Sequence, residues 1–209
     1  RYSGFIKRRF LLRLVERLEK WCLKKSSLVI TVCEALSDKV RFISPNTKVS
    51  QIEDIPISNN TTPADERAAE LIKRFNLPDS SRVIYTGNLE NYQGIELLID
   101  SWKILCDRKD NSWNYKLIMV GGHELQIDPY MKLAAEKGLS DSIYWVGQRP
   151  EEEIWEWMSL GNVLVSPRSA GDNTPLKIYS YMASGRPIVA TNQKVHTQVL
   201  NDSLAFMAD

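Results

Sequence analysis

Residues 163–191 read VLVSPRSAGDNTPLKIYSYMASGRPIVAT, an apolar strand, a polar loop, a capped helix and a second strand. Thr174 suits an N-cap, and Pro175 suits the first helical position, where its missing N–H costs nothing. Leu176 and Lys177 follow in the first turn. A helix start presents unpaired N–H groups and partial positive charge, which favour an anion such as phosphate. Asp172, just ahead of it with Asn173, is placed to hold sugar hydroxyls. A lysine in a first turn opposes the helix dipole by about 0.3–1 kcal/mol. A bound anion reverses that penalty, so Lys177 joins the candidates. Phosphate grip and hydroxyl grip in one loop suit a nucleotide sugar.

The same alternation extends outward. Candidate strands are Leu28–Val32, Val49–Ile55, Arg82–Thr86, Lys116–Val120, Ile143–Val146, Val163–Ser166 and Ile188–Ala190. Helical patterns fall near 34–43, 64–75, 94–108, 128–137, 151–160 and 175–184. Strands alternating with helices predict an α/β fold of doubly wound parallel sheets, helices on both faces. A polar run, Ser58 to Pro63, predicts a boundary, with domains at 1–58 and 59–209. Two strands and one long helix do not close a core. Residues 1–58 are therefore expected to be the tail of a larger domain, and the chain an internal fragment.

Composition is that of a soluble globular protein: 43% hydrophobic and 25% charged among 209 residues. No run has the length of a membrane helix, and no secretory signal is visible. Three cysteines and two histidines lack metal-ligand spacing, so reduced thiols in a cytoplasmic protein are expected, with no metal. The net charge of +1 conceals an asymmetry: residues 1–25 hold nine Lys/Arg against two Glu, +7, leaving −6 elsewhere. A basic opening helix suits peripheral contact with an anionic membrane face, though packing on a sheet is the preferred reading. No aromatic-basic interleaving recurs, so nucleic acid is not an expected partner.

Three further strands run into glycine corners. Val83–Leu89 (VIYTGNL) turns at Gly87, and a helix opens near Gln93-Gly94. Met119–His123 (MVGGH) turns at Gly121, and Trp145–Pro150 (WVGQRP) at Gly147. Strand, glycine turn and helix make the phosphate-facing corner of a doubly wound sheet, or simply a tight turn. G-x-G-x-x-G is absent, so no nicotinamide or flavin cofactor is expected. Arg149 and Arg168 are either anion contacts or solvated side chains.

These segments together resemble the retaining glycosyltransferases of the two-Rossmann (GT-B) type, in the large family with bacterial mannosyl- and glucosyltransferases. SSLVITVCEAL (26–36) is similar to the last part of an acceptor domain. VIYTGNLENYQGIELLIDSW (83–102) and SPRSAGDNTPLKIYSYMASGRPIVATN (166–192) are similar to donor-domain motifs. The resemblance implies metal-independent transfer of a sugar, with retention, from a nucleoside-diphosphate sugar to an acceptor hydroxyl on a carbohydrate or lipid-linked acceptor. It implies no cofactor beyond that donor.

Aligned on Tyr181–Pro187, the family's acid for the sugar falls on Asp172, and its ribose-holding glutamate on Ser180. Its arginine and lysine for the diphosphate fall on Asn88 and Gln93, which donate hydrogen bonds without charge. A hydrogen bond to a charged group contributes about 1.5–3 kcal/mol, so other cations must serve. Lys177, Arg168 and Arg149 are the candidates in this chain. A non-catalytic binding or scaffold role, and an epimerase of the same architecture, stand as the alternatives.

Overall fold

A computed structural model describes residues 9–56, 64–108 and 114–209. The expected boundary at Ser58–Pro63 and the first eight residues of the basic segment lie outside these. Contacts divide the chain into two compact units, Arg1–Asp54 with Gly171–Thr174, and Ile55–Ala170 with Pro175–Asp209.

The first unit contains α1 (Arg9–Lys25), β1 (Val29–Thr31), α2 (Glu34–Ile43) and β2 (Val49–Gln51). The two strands pair in parallel, Val29 opposite Val49 and Thr31 opposite Gln51. The expected strand Val49–Ile55 ends early: Ile52 donates its N–H to Thr31 O, after which β1 has no residue left to pair. Polar groups close its small interior, with a 2.6 Å hydrogen bond between the hydroxyls of Thr31 and Ser37. Phe10, Leu14, Leu18 and Trp21 remain exposed along α1.

The second unit is built on six parallel strands: β3 (Ser81–Thr86), β4 (Tyr115–Val120), β5 (Ile143–Gly147), β6 (Val163–Ser166), β7 (Ile188–Thr191) and β8 (Phe206–Ala208). Their spatial order is β5-β4-β3-β6-β7-β8. The chain starts in the middle, steps outward to one edge, then returns to build the other half. The order therefore reverses between β3 and β6, where ligands of open α/β sheets bind beyond the strand ends.

Side chains alternate across the sheet as the pleat demands. Ile84, Ile118, Val120 and Leu164 face one core with Trp157, Ile178 and Tyr181. Tyr85, Leu117, Met119 and Val165 face the other with Ile99 and Trp102. The helices are α3 (Ala64–Arg74), α4 (Ile95–Arg108), α5 (Glu124–Glu136), α6 (Glu151–Ser159), α7 (Leu176–Ala183) and α8 (Lys194–Thr197). α6 opens on three glutamates, favoured at a helix's positive end. One of them, Glu153, and Glu156 further along the helix pair with Arg74 and Arg67 of α3 at 2.9 Å.

Three expectations need correction. α5 starts at Glu124, four residues before Asp128, because the Gln126 side chain turns back to accept the His123 N–H at 3.4 Å. Pro129 is thus an interior residue of that helix. α7 starts at Leu176 with Pro175, not Thr174, at the cap: Pro175 is extended (ψ 132°), and its carbonyl accepts the first helical bond from Ile178. The apolar run at Leu204–Met207 supplies most of a further strand, β8, against β7.

β3 and β6 pair only through Val83–Val163 and Ile84–Leu164. Beyond that the strands part, and Tyr181 of α7 takes the place of the ladder. Its buried hydroxyl accepts the Thr86 N–H at 2.9 Å and lies 3.1 Å from Thr86 Oγ1 and 3.5 Å from Val165 O. Burial pushes this phenol up to about 12, so it keeps its proton. Tyr181→Phe leaves the Thr86 N–H unsatisfied and should cost about 1–3 kcal/mol in urea unfolding; an unchanged midpoint and slope would show that the hydroxyl is not part of this joint.

Candidate functional site

Lys177 and Tyr181 are four residues apart and so share one face of α7. Both reach Thr86, the last residue of β3. While Tyr181 takes the Thr86 N–H, Lys177 Nζ donates to Thr86 O at 3.0 Å. The same ammonium lies 4.0 Å from the centroid of the Tyr85 ring. Lys177 as a residue is half-buried, but its charged end is enclosed. Burial, with repulsion from Arg168, lowers it to about 7.

Arg168, two residues past the end of β6, is the second cation here. It is 8% exposed, with its guanidinium 5.0 Å over the Tyr92 ring and Nε donating to Ala170 O at 2.9 Å. Burial lowers its proton affinity, and Tyr92 and Tyr85 partly restore it. Two enclosed cations at the parting of β3 and β6 repel one another, an arrangement that an anion relieves.

Glycine lets the backbone come this close. A Cβ on Gly87 would stand 3.2 Å from Lys177 Nζ and 3.3 Å from the Tyr85 hydroxyl, at a φ of 136°. Gly94 (φ 72°) closes the turn after Asn91–Gln93 against the carbonyl of Pro167, and a Cβ there would collide with it. The neighbouring corners serve packing: Gly87 N–H donates to Val120 O and Gly121 N–H to Gly147 O, tying three strand exits together.

Asn88 and Gln93 face each other. Gln93 Nε2 donates to Asn88 Oδ1 at 3.0 Å, and Tyr85 Oη donates to the Asn88 carbonyl at 2.6 Å. The two carboxamides that replace cations thus form a neutral pair, with Gln93 7% exposed and its Oε1 lacking a donor among the described residues. Arg149 is elsewhere: its guanidinium lies 5.3 Å over the Phe75 ring, which Arg74 also flanks, and Nε donates to Gln148 O. The structure therefore gathers Gly87, Asn88, Gln93, Arg168 and Lys177, and leaves Arg149 out of that group.

Within Gly171–Thr174, Asp172 and Asn173 are exposed, and the Asp172 carbonyl accepts the Cys33 thiol at 3.7 Å. Thr174 is 1% exposed, its hydroxyl without a hydrogen-bond partner among the described residues. Pro175 is buried at the cap, Leu176 is exposed, and Ser180 is buried inside α7. Cavities of about 710 and 700 Å³ lie along β5 and α5 and in the first unit, and neither takes lining from β3, β6 or α7.

His196 is a participant that sequence reasoning missed. It is 0% exposed, with Nδ1 2.9 Å from Thr191 O and Nε2 2.9 Å from Ser166 Oγ. The only available hint was a histidine soon after a strand end. Burial foremost, with Lys177 and Arg168 nearby, lowers it to about 4.

The parallel sheet, with its order reversing at β3 and β6, defines a doubly wound α/β protein. Residues 80–207 match the glycosyl transferases group 1 family, and the chain belongs to it. It is 25% identical over 198 residues to the α-D-kanosaminyltransferase of Streptomyces kanamyceticus, covering 91% of this chain and 50% of that protein. It is 25% identical over 162 residues to the D-inositol 3-phosphate glycosyltransferase of Corynebacterium efficiens, covering 75% and 36%. The chain therefore spans half or less of these relatives. In fold it is similar to Anabaena HepE, solved with UDP and glucose, at a TM-score of 0.72 and 18% identity over 94% of this chain and 53% of that one. It is likewise similar to the sucrose-phosphate synthase of Thermosynechococcus elongatus, at 0.71 and 20% over 97% and 50%. The fold is thus α/β with parallel sheets, as in GT-B glycosyltransferase structures. Among the described residues no helix is long and apolar enough to cross a membrane.

His196 makes stability depend on acid. Its folded proton affinity lies below the ordinary 6.5, so its contribution is complete above 6.5 and is lost as pH falls towards about 4. Urea unfolding should show roughly 3 kcal/mol of this loss. His196→Asn should lack that slope, and the same slope in both proteins would assign it to other groups.

Proposed function

We propose that the protein transfers a sugar from a nucleoside-diphosphate sugar to an acceptor hydroxyl, with retention and without a metal. The observation that carries this is Lys177, fixed on the last carbonyl of β3 in the first turn of α7, beside Arg168. Departure of the diphosphate is the demanding step, and charge placed in advance at the leaving group lowers its barrier without reorganisation. An anion in this place raises the proton affinity of Lys177, so the lysine is fully charged when the donor is bound. Lys177 and Arg168 together replace the charge absent from Asn88 and Gln93. Asp172 orients hydroxyls of the transferred sugar, and the N–H groups at the start of α7 face its phosphates. UDP in the HepE structure and sugar transfer in the names of the curated relatives support a nucleotide-sugar donor.

One observation favours a second reading, donor binding without transfer. Gln93 donates to Asn88, so the corner after β3 holds a neutral hydrogen-bonded pair in place of two cations. Calorimetric titration with UDP and with uridine separates the charges from the base. Lys177→Met should weaken UDP roughly 10- to 100-fold, the loss of one charged hydrogen bond, and leave uridine unchanged. An equal loss for both ligands would remove Lys177 from the phosphate site. In the intact protein, Asp172→Ala should lower transfer from a panel of nucleotide sugars about tenfold or more, with UDP affinity unchanged. Intact UDP binding with no transfer by the unmodified protein would select the second reading.

A further inference from the structure

We propose that His196 is a positioning residue, which acts through Ser166 and Thr191 to hold the backbone after β6 so that Arg168 faces the donor's leaving phosphates. This rests on the donor-binding reading above and adds to it a residue outside the binding set.

Thr191 O, 2.9 Å from Nδ1, can only accept, so Nδ1 carries the hydrogen. Nε2 is then the acceptor, and the Ser166 hydroxyl donates to it at 2.9 Å. One neutral ring thus ties the end of β6 to the end of β7. The Thr191 hydroxyl carries the tie onward by donating to Arg168 O. Ser166 and Arg168 flank Pro167, whose carbonyl occupies the place a Cβ on residue 94 would need. Ser169 N–H donates to Tyr92 O at 3.1 Å, beside the ring on which the Arg168 guanidinium stacks. The segment 166–169 is therefore held at Ser166, Arg168 and Ser169.

Such a grip exceeds what strand pairing needs. β6 and β7 already pair through Leu164–Ile188, Val165–Val189 and Ser166–Ala190. The additional bonds join the exit that carries Arg168 to the exit of β7. Lys177 and Arg168 repel each other, so without restraint the arginine would swing away from the lysine. Neutral His196 restrains it without adding a third positive charge. Its protonation would give up the acceptor for Ser166 and place another cation beside these two.

The test uses Thr191→Val, which removes one hydroxyl and keeps the shape, and His196→Asn, which can still donate to Thr191 O but cannot reach Ser166. Two measurements are made on the intact protein: phenylglyoxal labelling of Arg168 followed by mass spectrometry, and calorimetric titration with UDP and uridine. Both variants should label Arg168 several-fold faster than the unmodified protein. They should bind UDP about fivefold more weakly, the loss of one hydrogen bond, with uridine unchanged. In an Arg168→Gln background neither should weaken UDP further. Unchanged labelling, or the same loss of UDP affinity in that background, would overturn the proposal. Faster labelling in a protein that binds no UDP would uphold the positioning of Arg168 and overturn the donor reading alone.

Discussion

Thr86 is where the sheet must part, and everything at the candidate site depends on how its exposed backbone is satisfied. A central strand that loses its neighbour leaves a donor and an acceptor in a buried place, at a cost of about 1–3 kcal/mol each if unmet. α7 meets both from one face. Tyr181 takes the N–H, and Lys177 takes the carbonyl. The first contact anchors the helix, and the second fixes a cation at the switch point of the fold. Structural support and functional charge thus come from residues one helical turn apart.

That constraint explains why glycines gather where they do. Gly87 follows Thr86 and must clear the Lys177 ammonium, while Gly94 must clear the carbonyl of Pro167. Both close approaches bring the β3 exit, the β6 exit and α7 into one small volume. Arg168 enters it from β6 and Lys177 from α7, each with its charge stacked on a tyrosine, Tyr92 and Tyr85. Aromatic faces and backbone carbonyls are among the partners of both cations. On the proposed reading, the donor's phosphates complement both charges.

Much of this was legible in the sequence because the relevant signals are local. Val163–Ser166 and Glu34–Ile43 coincide with their expected spans, since apolar β-branched runs and helical periodicity report on neighbouring residues. The cap of α7 was displaced by one residue because Pro175 serves equally well extended before a helix or inside its first turn. α5 starts earlier than expected because Asp128-Pro129 imitates a helix start, and the local capping contact between Gln126 and the His123 N–H overrides it. What sequence could not supply was partnership across distance. Asn88 and Gln93 read as two open donors and lock together, Arg149, open between anion contact and solvated side chain, stacks on Phe75, and His196 gave no signal of its ties to Ser166 and Thr191.

The central claim is that Lys177 is an enclosed cation poised for an anion, and its own titration tests this most directly. In the intact protein, NMR of the lysine side-chain nitrogens, with Lys177→Met for assignment, would follow one resonance through pH. The midpoint should lie near 7 without ligand and move clearly upward when UDP is added. A midpoint with the ordinary lysine value of about 10.4, indifferent to UDP, would contradict it.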